Sequence, residues 1–432
     1  MSNGARARKT WLAATAGIAI MGLTAACSGG GDPAGESSGG AEGGGEDVVL
    51  EFAQWWEPEL PEGVLRGLMD QFEEENPGIT VELLSGPYAS TKEQVVAGAA
   101  SGTMSDVVGL DGAWVSDFVN QGAIADLSAL MGEAGYDESQ LASQVQIGGA
   151  TYMIPVVNFA YMLFSNQDIL EAAGATVPET RTEFAETAAA ITTDDVSGWI
   201  LPLSLEAPNG IQNDVMSWVW ASGGTMLADG QPDVTNDQVK SAVEYIKGLN
   251  DAGVIAPGAA TLKEQDKVEE FTNGRVGMMI SSLAHINTIR DSNPELNFTI
   301  SALPAEDGYT GERGTPYASW GIGVAENSEH KAEAFKLIEF LMSADVNAEL
   351  SNAANAFPGN TEAVPDYVTS DEMFQLAFDV WQAGYPANEF TGLPVAEQLM
   401  RDFSEQLQRV LADEISVDEA LEAAQAAWVE QF

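Results

Sequence analysis

Apolar and polar positions recur in two rhythms along the first hundred residues after position 47. Val48–Phe52 is a short apolar run of strand length, and Val64, Leu65, Leu68, Met69 and Phe72 then fall on one helical stripe. Asn76-Pro77-Gly78 stops that helix, and Ile79–Leu84 reads as a second strand. A helix is predicted from about Thr91 to Ser101, a third strand over Asp106–Leu110, and another helix from about Trp114. Strands and helices alternating through short connections predict an α/β fold, a parallel sheet covered by helices on both faces. Further along, Met278, Met279 and Ile280 read as a buried strand, and Phe335, Ile338, Leu341 and Met342 as the buried stripe of a helix. Val417, Ala420, Leu421, Ala424 and Trp428 form another stripe behind a Ser416/Glu419 capping box, so Trp428 is expected in a core.

In open parallel sheets, ligands sit beyond the carboxyl ends of the strands. The loops predicted there are Gln54-Trp55-Trp56-Glu57, Ser85-Gly86-Pro87-Tyr88 and Asp111-Gly112-Ala113-Trp114. All three carry an aromatic ring, two of them beside a carboxylate. A ring packs against the apolar C–H face of a pyranose, and a carboxylate accepts strong hydrogen bonds from its hydroxyls. One loop tryptophan is accounted for as an anchor of its own loop; three loops in agreement point to a ligand. Trp55, Trp56, Glu57, Tyr88, Asp111 and Trp114 are therefore candidate sugar contacts.

Composition narrows the alternatives. The 432 residues suffice for two domains, and 45% hydrophobic with 8% aromatic residues supply real cores. A formal charge of −49, from 66 acidic against 17 basic residues, repels phosphate, so no nucleic-acid partner is expected. Two histidines, His285 and His330, and the single Cys27 leave almost nothing for zinc or haem, and no metal or cofactor is expected. No GxSxG, HExxH, Walker-A, GxGxxG or EF-hand pattern gives catalysis positive support.

The N-terminus reads as a secretory signal over residues 1–27. Arg6, Arg8 and Lys9 precede an apolar stretch, Trp11 to Ala26, too short and too rich in Ala and Gly for a membrane span. Leu23-Thr24-Ala25-Ala26-Cys27 resembles a lipobox, with Thr24 where leucine is favoured, so Cys27 is the expected lipid attachment site. Residues 28–46 are mostly Gly, Ser, Ala and Glu, a flexible tether reaching roughly 25 Å r.m.s.. The expected location is the outer face of the cell membrane.

Residues 47–432 resemble the family 1 extracellular solute-binding proteins, which include the maltose-binding proteins. Phe72-Glu73-Glu74-Glu75-Asn76-Pro77-Gly78-Ile79-Thr80-Val81 is similar to the family's opening helix–turn–strand. Tyr152-Met153-Ile154-Pro155 with Tyr161-Met162-Leu163-Phe164-Ser165-Asn166 resembles its first crossing between lobes. Val177 to Phe184 resembles a P-x-T-W-x-E-F run with Arg181 in place of the tryptophan. Phe271 to Met279 resembles the F-x-x-G-K-A-A-M signature; Ser319–Val324, Phe357–Asn360 and Ile415–Leu421 follow in family order.

The resemblance implies a two-lobed periplasmic-binding-protein fold, each lobe a mostly parallel sheet flanked by helices, with the ligand between them. Crossings are expected near 154–160, 304–318 and 355–360. Lobe 1 would then be 47–155 completed by 317–358, and lobe 2 would be 156–316 completed by 359–432. It adds Asn158, Tyr161, Trp220, Trp320, Gly321, Trp381 and Tyr385 as candidate contacts. Of Trp218 and Trp220, one is expected inward and one outward, with Trp220 towards the cleft. Ala284 and His285 stand where the family often has an aromatic.

The implied function is non-catalytic: a monomer captures a mono- or oligosaccharide by hinge closure and delivers it to the permease subunits of an ABC importer. The alternatives are a non-sugar solute, such as a peptide or polyamine, on the same fold, or a lipid-anchored carbohydrate-active enzyme. The enzyme would need two carboxylates facing across the cleft, with Glu57, Asp111 and Glu206 as candidates.

Overall fold

A computed structural model describes residues 47–393 and 395–432. The signal, lipobox and tether assignments all lie outside the described residues. The chain opens as the hydrophobic rhythm predicts. Strands β1 (Val48–Gln54), β2 (Ile79–Ser85) and β3 (Val107–Leu110) are parallel, in the order β2-β1-β3, with Val48 opposite Ile79 and Phe52 opposite Val107. The helix Val64–Glu75 buries Leu65, Leu68, Met69 and Phe72 against them. It ends where the Asn76 side chain caps the Phe72 carbonyl and Gly78 takes φ +97°, a conformation that favours glycine.

A hairpin strand β4 (Val145–Ile147) leads into β5 (Ala150–Asn166), which is 17 residues long and almost wholly buried. Its first half, from Met153 to Phe159, joins a core built on β1–β3 and the helix Lys331–Leu341. Beyond residue 159 its side chains alternate between two further cores, as a strand's two faces require. Tyr161 and Leu163 join a second core with Trp199, Trp218 and Trp428, whereas Ala160, Met162 and Phe164 join a third with Phe271 and Phe298. One strand thus runs from the first core into the other two.

The remaining strands are β6 (Ser197–Trp199), the hairpin β7 (Leu227–Ala228) and β8 (Gln231–Pro232), β9 (Val276–Ser282), β10 (Phe298–Ser301), β11 (Gly314–Val324), β12 (Phe357–Pro358) and β13 (Tyr385–Ala387). The main sheet runs β2-β1-β3-β11-β5-β9-β6. Its centre is antiparallel: β11 returns alongside β5, with Tyr317 opposite Ala160 and Ile322 opposite Ile154, and β12 pairs the other edge of β5 at Asn158. A strand that leaves one core and a strand that returns to it must run in opposite senses, so the parallel blocks meet through antiparallel strands.

Two local features answer the sequence directly. The Ser416/Glu419 capping box is present, and Trp428 is fully buried between Phe390 and Phe403, donating its indole N–H to the Leu399 carbonyl at 2.9 Å. Arg181 fills its aromatic slot by other means. Its guanidinium lies 5.4 Å from the Tyr245 ring centre and donates to Glu306 (2.7 Å), Ser241 (3.0 Å) and the Trp218 carbonyl.

Candidate functional site: a recess between the cores

The loops after β1, β2 and β3 converge. Trp55, Tyr88 and Trp114 form one aromatic cluster, with ring centres 5.2 Å apart for Trp55–Tyr88, 5.4 Å for Trp55–Trp114 and 5.1 Å for Tyr88–Trp114. Asp111 completes it, accepting the Tyr88 hydroxyl at 3.0 Å and the Ala113 N–H at 2.9 Å. Trp55 and Trp114 are nearly buried, at 4% and 3% exposed; Tyr88 is 38% exposed. Yet burial pushes the Tyr88 phenol well above its usual range, with the Asp111 charge adding to it. Tyr88 thus keeps part of its ring open to solvent while protein surrounds the rest, which makes it the open edge of the cluster and of the recess beside it.

That combination picks out a residue the sequence reading passed over. Glu59 is exposed, but desolvation pushes its carboxyl up to about 7 against the opposing hydrogen bond of Trp320. Across the recess stands Tyr161 of β5. Burial raises its phenol first, and the charges of Glu264, Asp214, Asp111 and Glu59 raise it further, so carboxylates from both sides converge on it. Its hydroxyl accepts from the Asn213 amide at 3.0 Å. Behind it, Lys267 is fully buried and lies 3.1 Å from both Asp214 oxygens and 2.9 Å from Glu264. Burial works against the Lys267 charge, but the two carboxylates hold its pKa above the ordinary value. His285 lies 2.8 Å from the Ser281 hydroxyl, and burial lowers its pKa, so the imidazole is neutral at pH 7.

The other expected contacts are placed differently. Trp56 is fully buried, stacked on Trp320 at 5.5 Å with 7° between planes and edged by Phe52. Trp320 is 4% exposed and also packs on Phe159 at 4.9 Å, so these rings form the floor rather than an open platform. The side-chain space that Gly321 leaves is occupied by Met153, whose thioether would lie 2.3 Å from an added Cβ; the glycine admits core rather than ligand. Glu57 accepts the Ser85 hydroxyl and is tied to the end of β2.

Trp220 belongs to the second core and donates its indole N–H to Glu389 at 2.7 Å; Trp218 is buried as well, so neither ring points outward. Both fit inside because this helix is covered on every side. Asn158 accepts from Ser319 at 2.7 Å on the face of β5 opposite Tyr161. Trp381 stacks on Phe357 at 4.9 Å against the third core, away from the aromatic cluster. Tyr385 pairs β13 with Gly314 and reaches the Trp220 carbonyl at 3.5 Å. Glu206, the remaining carboxylate considered for hydrolysis, is exposed and paired with Lys263 at 2.6 Å.

A separate cavity of about 370 Å³, lined by Met162, Leu303, Arg313 and Asp379, opens beside the helix Glu372–Ala383 and shares only Tyr161 with the recess. Among the described residues, no group of three or more His, Cys, Asp or Glu side chains is placed to hold a metal ion, and no helix is long and apolar enough to cross a membrane.

Cores joined by shared strands, with an aromatic and polar recess at the carboxyl ends of β1–β3, define a two-lobed binding protein. Residues 55–348 match the family described as bacterial extracellular solute-binding proteins, and the chain belongs to that family. A relative from Brucella abortus, described as a binding protein, is 30% identical over 308 residues, covering 69% of this chain and 74% of the relative. An uncharacterized lipoprotein from the oleD 5′ region of Streptomyces antibioticus is 25% identical over 340 residues, 74% of this chain and 72% of that protein. Among solved structures, the GacH receptor of Streptomyces glaucescens, studied unliganded and with acarbose, superposes with a TM-score of 0.73 at 21% identity, covering 89% of this chain and 98% of that one. A solute-binding protein from Thermotoga lettingae bound to α-D-tagatose gives 0.75 at 20% identity, covering 89% and 99%.

Proposed function

We propose that this chain captures a carbohydrate outside the cell and hands it to the permease of an ABC importer, without catalysing a reaction. The observation that carries this reading is the recess itself, in which the Trp55–Tyr88–Trp114 cluster with Asp111 and Glu59 faces Tyr161 and Asn213. Tyr88, the exposed ring of the cluster, supplies the apolar face that a pyranose needs, with Trp55 and Trp114 packed behind it, and carboxylates and an amide supply partners for its hydroxyls. Family membership and the acarbose and tagatose complexes of structurally similar proteins support the same reading. Lobe 1 is 47–155 with 317–358 and lobe 2 is 156–316 with 359–432; β5, β11 and β12 are the hinge. A ligand touching both lobes favours their approach because it gains contacts only in that state. Cys27 carries the lipid anchor, and the protein works as a monomer on the outer membrane face; Cys27→Ala is expected to abolish wash-resistant membrane retention.

Residues 47–432 contain all three cores, and their melting temperature is the direct test. At least one mono- or oligosaccharide is expected to raise it, by about 2.7 kcal/mol of stability at a hundredfold excess over Kd. The sugar should be recovered chemically intact. Turnover beyond one equivalent would establish the enzyme instead, and stabilisation by polyamines or peptides alone would move the ligand class.

A further inference from the structure

Beside the Asp111–Trp114 edge of the recess, the two lobes touch through a loop that supplies none of the candidate sugar contacts. That loop, residues 388–393 and 395–397, is rooted in the second core. Glu389 accepts from the Trp220 indole at 2.7 Å and from the Met226 and Leu227 N–H groups at 2.9 and 3.2 Å, and Leu393 packs on that core. Its tip crosses to the first lobe. The Gly392 N–H donates to the Gly112 carbonyl at 2.9 Å. A Cβ added to Gly112 would lie 2.7 Å from the Thr391 methyl carbon, and one added to Gly392 would lie 3.2 Å from Val145. The Thr391–Gly392 tip therefore fits tightly between Gly112 and Val145, and a side chain on Gly112 would force Thr391 to move. Beside it, Lys92, on the helix Tyr88–Ser101, forms an ion pair with Glu397 on the helix Ala396–Leu411, and its ammonium lies 5.6 Å from the Trp114 ring centre.

We propose that Lys92, Gly112, Thr391, Gly392 and Glu397 form a clasp that holds the lobes together in the absence of ligand and so sets the apparent affinity of the recess. These contacts span 279 to 305 positions of sequence and exist only while the lobes meet (391 − 112 = 279; 397 − 92 = 305). They add free energy to that state alone. Ligand affinity scales with the fraction of molecules already in the binding-competent state, so a clasp that raises this fraction tightens binding without touching the sugar. The bare backbone at Gly112 is what permits the fit: its φ lies outside the left-handed region, so a side chain there is resisted by Thr391 rather than by its own backbone. The proposal rests on the two-lobed reading and not on the nature of the ligand.

The test needs no ligand. Residues 47–432 contain no cysteine, so Glu74→Cys on lobe 1 and Glu422→Cys on lobe 2, both exposed, accept a pair of distance labels cleanly. Gly112→Val is expected to shift the label distances of the ligand-free protein to longer values, with at least a fivefold fall in the short-distance population. Thr391→Gly in the same chain should restore it by removing the colliding side chain. Lys92→Glu should lengthen the distances in the same direction, and the exchanged pair Lys92→Glu/Glu397→Lys should recover them at low salt. Cooperative melting identifies variants that fold, and the charge pair carries the test if Gly112→Val does not. Distances unmoved by both Gly112→Val and Lys92→Glu, or unrescued by their partners, would overturn the clasp.

Discussion

The two walls of the recess are built on different principles. The first-lobe wall is aromatic: Trp55, Tyr88 and Trp114 come from three successive strand ends and hold one another by ring contact, with Asp111 fixed by the Tyr88 hydroxyl. The second-lobe wall is ionic and amide-rich, with Tyr161 leaning on Asn213 in front of Asp214, Lys267 and Glu264. Ring packing is short-ranged and tolerates the loss of a polar tip. A buried charge cluster does not, since removing one member strands the others in a low dielectric. One wall should fail locally and the other globally.

The largest effect is expected at Lys267. Lys267→Met leaves Asp214 and Glu264 without a counter-charge, and a loss of about 3–5 kcal/mol is expected in chemical denaturation at pH 7. Adding Asp214→Asn should return much of it. A single-variant loss below about 1 kcal/mol would mean that the cluster is not held by charge balance.

A smaller effect is expected at Tyr88. Tyr88→Phe keeps the ring and deletes one hydrogen bond to Asp111 at a partly exposed site, so stability should fall by no more than about 1.5 kcal/mol. Calorimetric titration should show weaker binding of whichever sugar stabilises the wild type, because Asp111 loses the donor that orients it. Unchanged affinity would remove this wall from recognition.

The smallest effect is a slope. The folded protein keeps the Glu59 proton up to about pH 7, while the unfolded chain releases it near 4.5. The folded state therefore binds more protons between those values, and this residue's contribution to stability declines as pH rises from about 4.5 to 7 and is level above. Melting temperatures of Glu59→Gln across pH 4–8 should show that part of the decline removed. An identical pH profile in both proteins would place Glu59 outside the recess.

Much of the first lobe, and the start of the last helix of the second, was legible because the signals are local. The strand–helix alternation, the stop at Asn76-Pro77-Gly78 and the Ser416/Glu419 cap are each set by a few neighbouring residues, and the structure contains them all. The convergence of Trp55, Tyr88, Asp111 and Trp114 was legible too, since parallel strands deliver their following loops to one edge. Glu59 was missed although it stands only two residues beyond the last position considered, because nothing in a Glu-Pro-Glu turn marks which carboxylate is desolvated. Of the second-lobe wall only Tyr161 was named, through the family resemblance, and the groups behind it carried no signal. Asn213, Asp214, Glu264 and Lys267 lie on two segments some fifty residues apart (264 − 214 = 50), and only the packing of those segments against β5 and β9 makes one site of them.

Tryptophans drew the line most sharply. Helical periodicity put Trp428 in a core, whereas the family resemblance offered Trp220, Trp320 and Trp381 as ligand contacts. In the structure Trp428 and Trp220 enter the second core, Trp381 stacks on Phe357 of β12, and Trp320 lies beneath the recess against Trp56. By itself the sequence determined the alternating elements, the covered stripes and the loops at the strand ends, because these follow from hydrogen-bond geometry and periodicity over a few residues. Only the tertiary structure decided which ring stays open to solvent, which carboxylate is desolvated and which glycine is pressed by Thr391, because burial depends on neighbours that the chain brings together from hundreds of residues away.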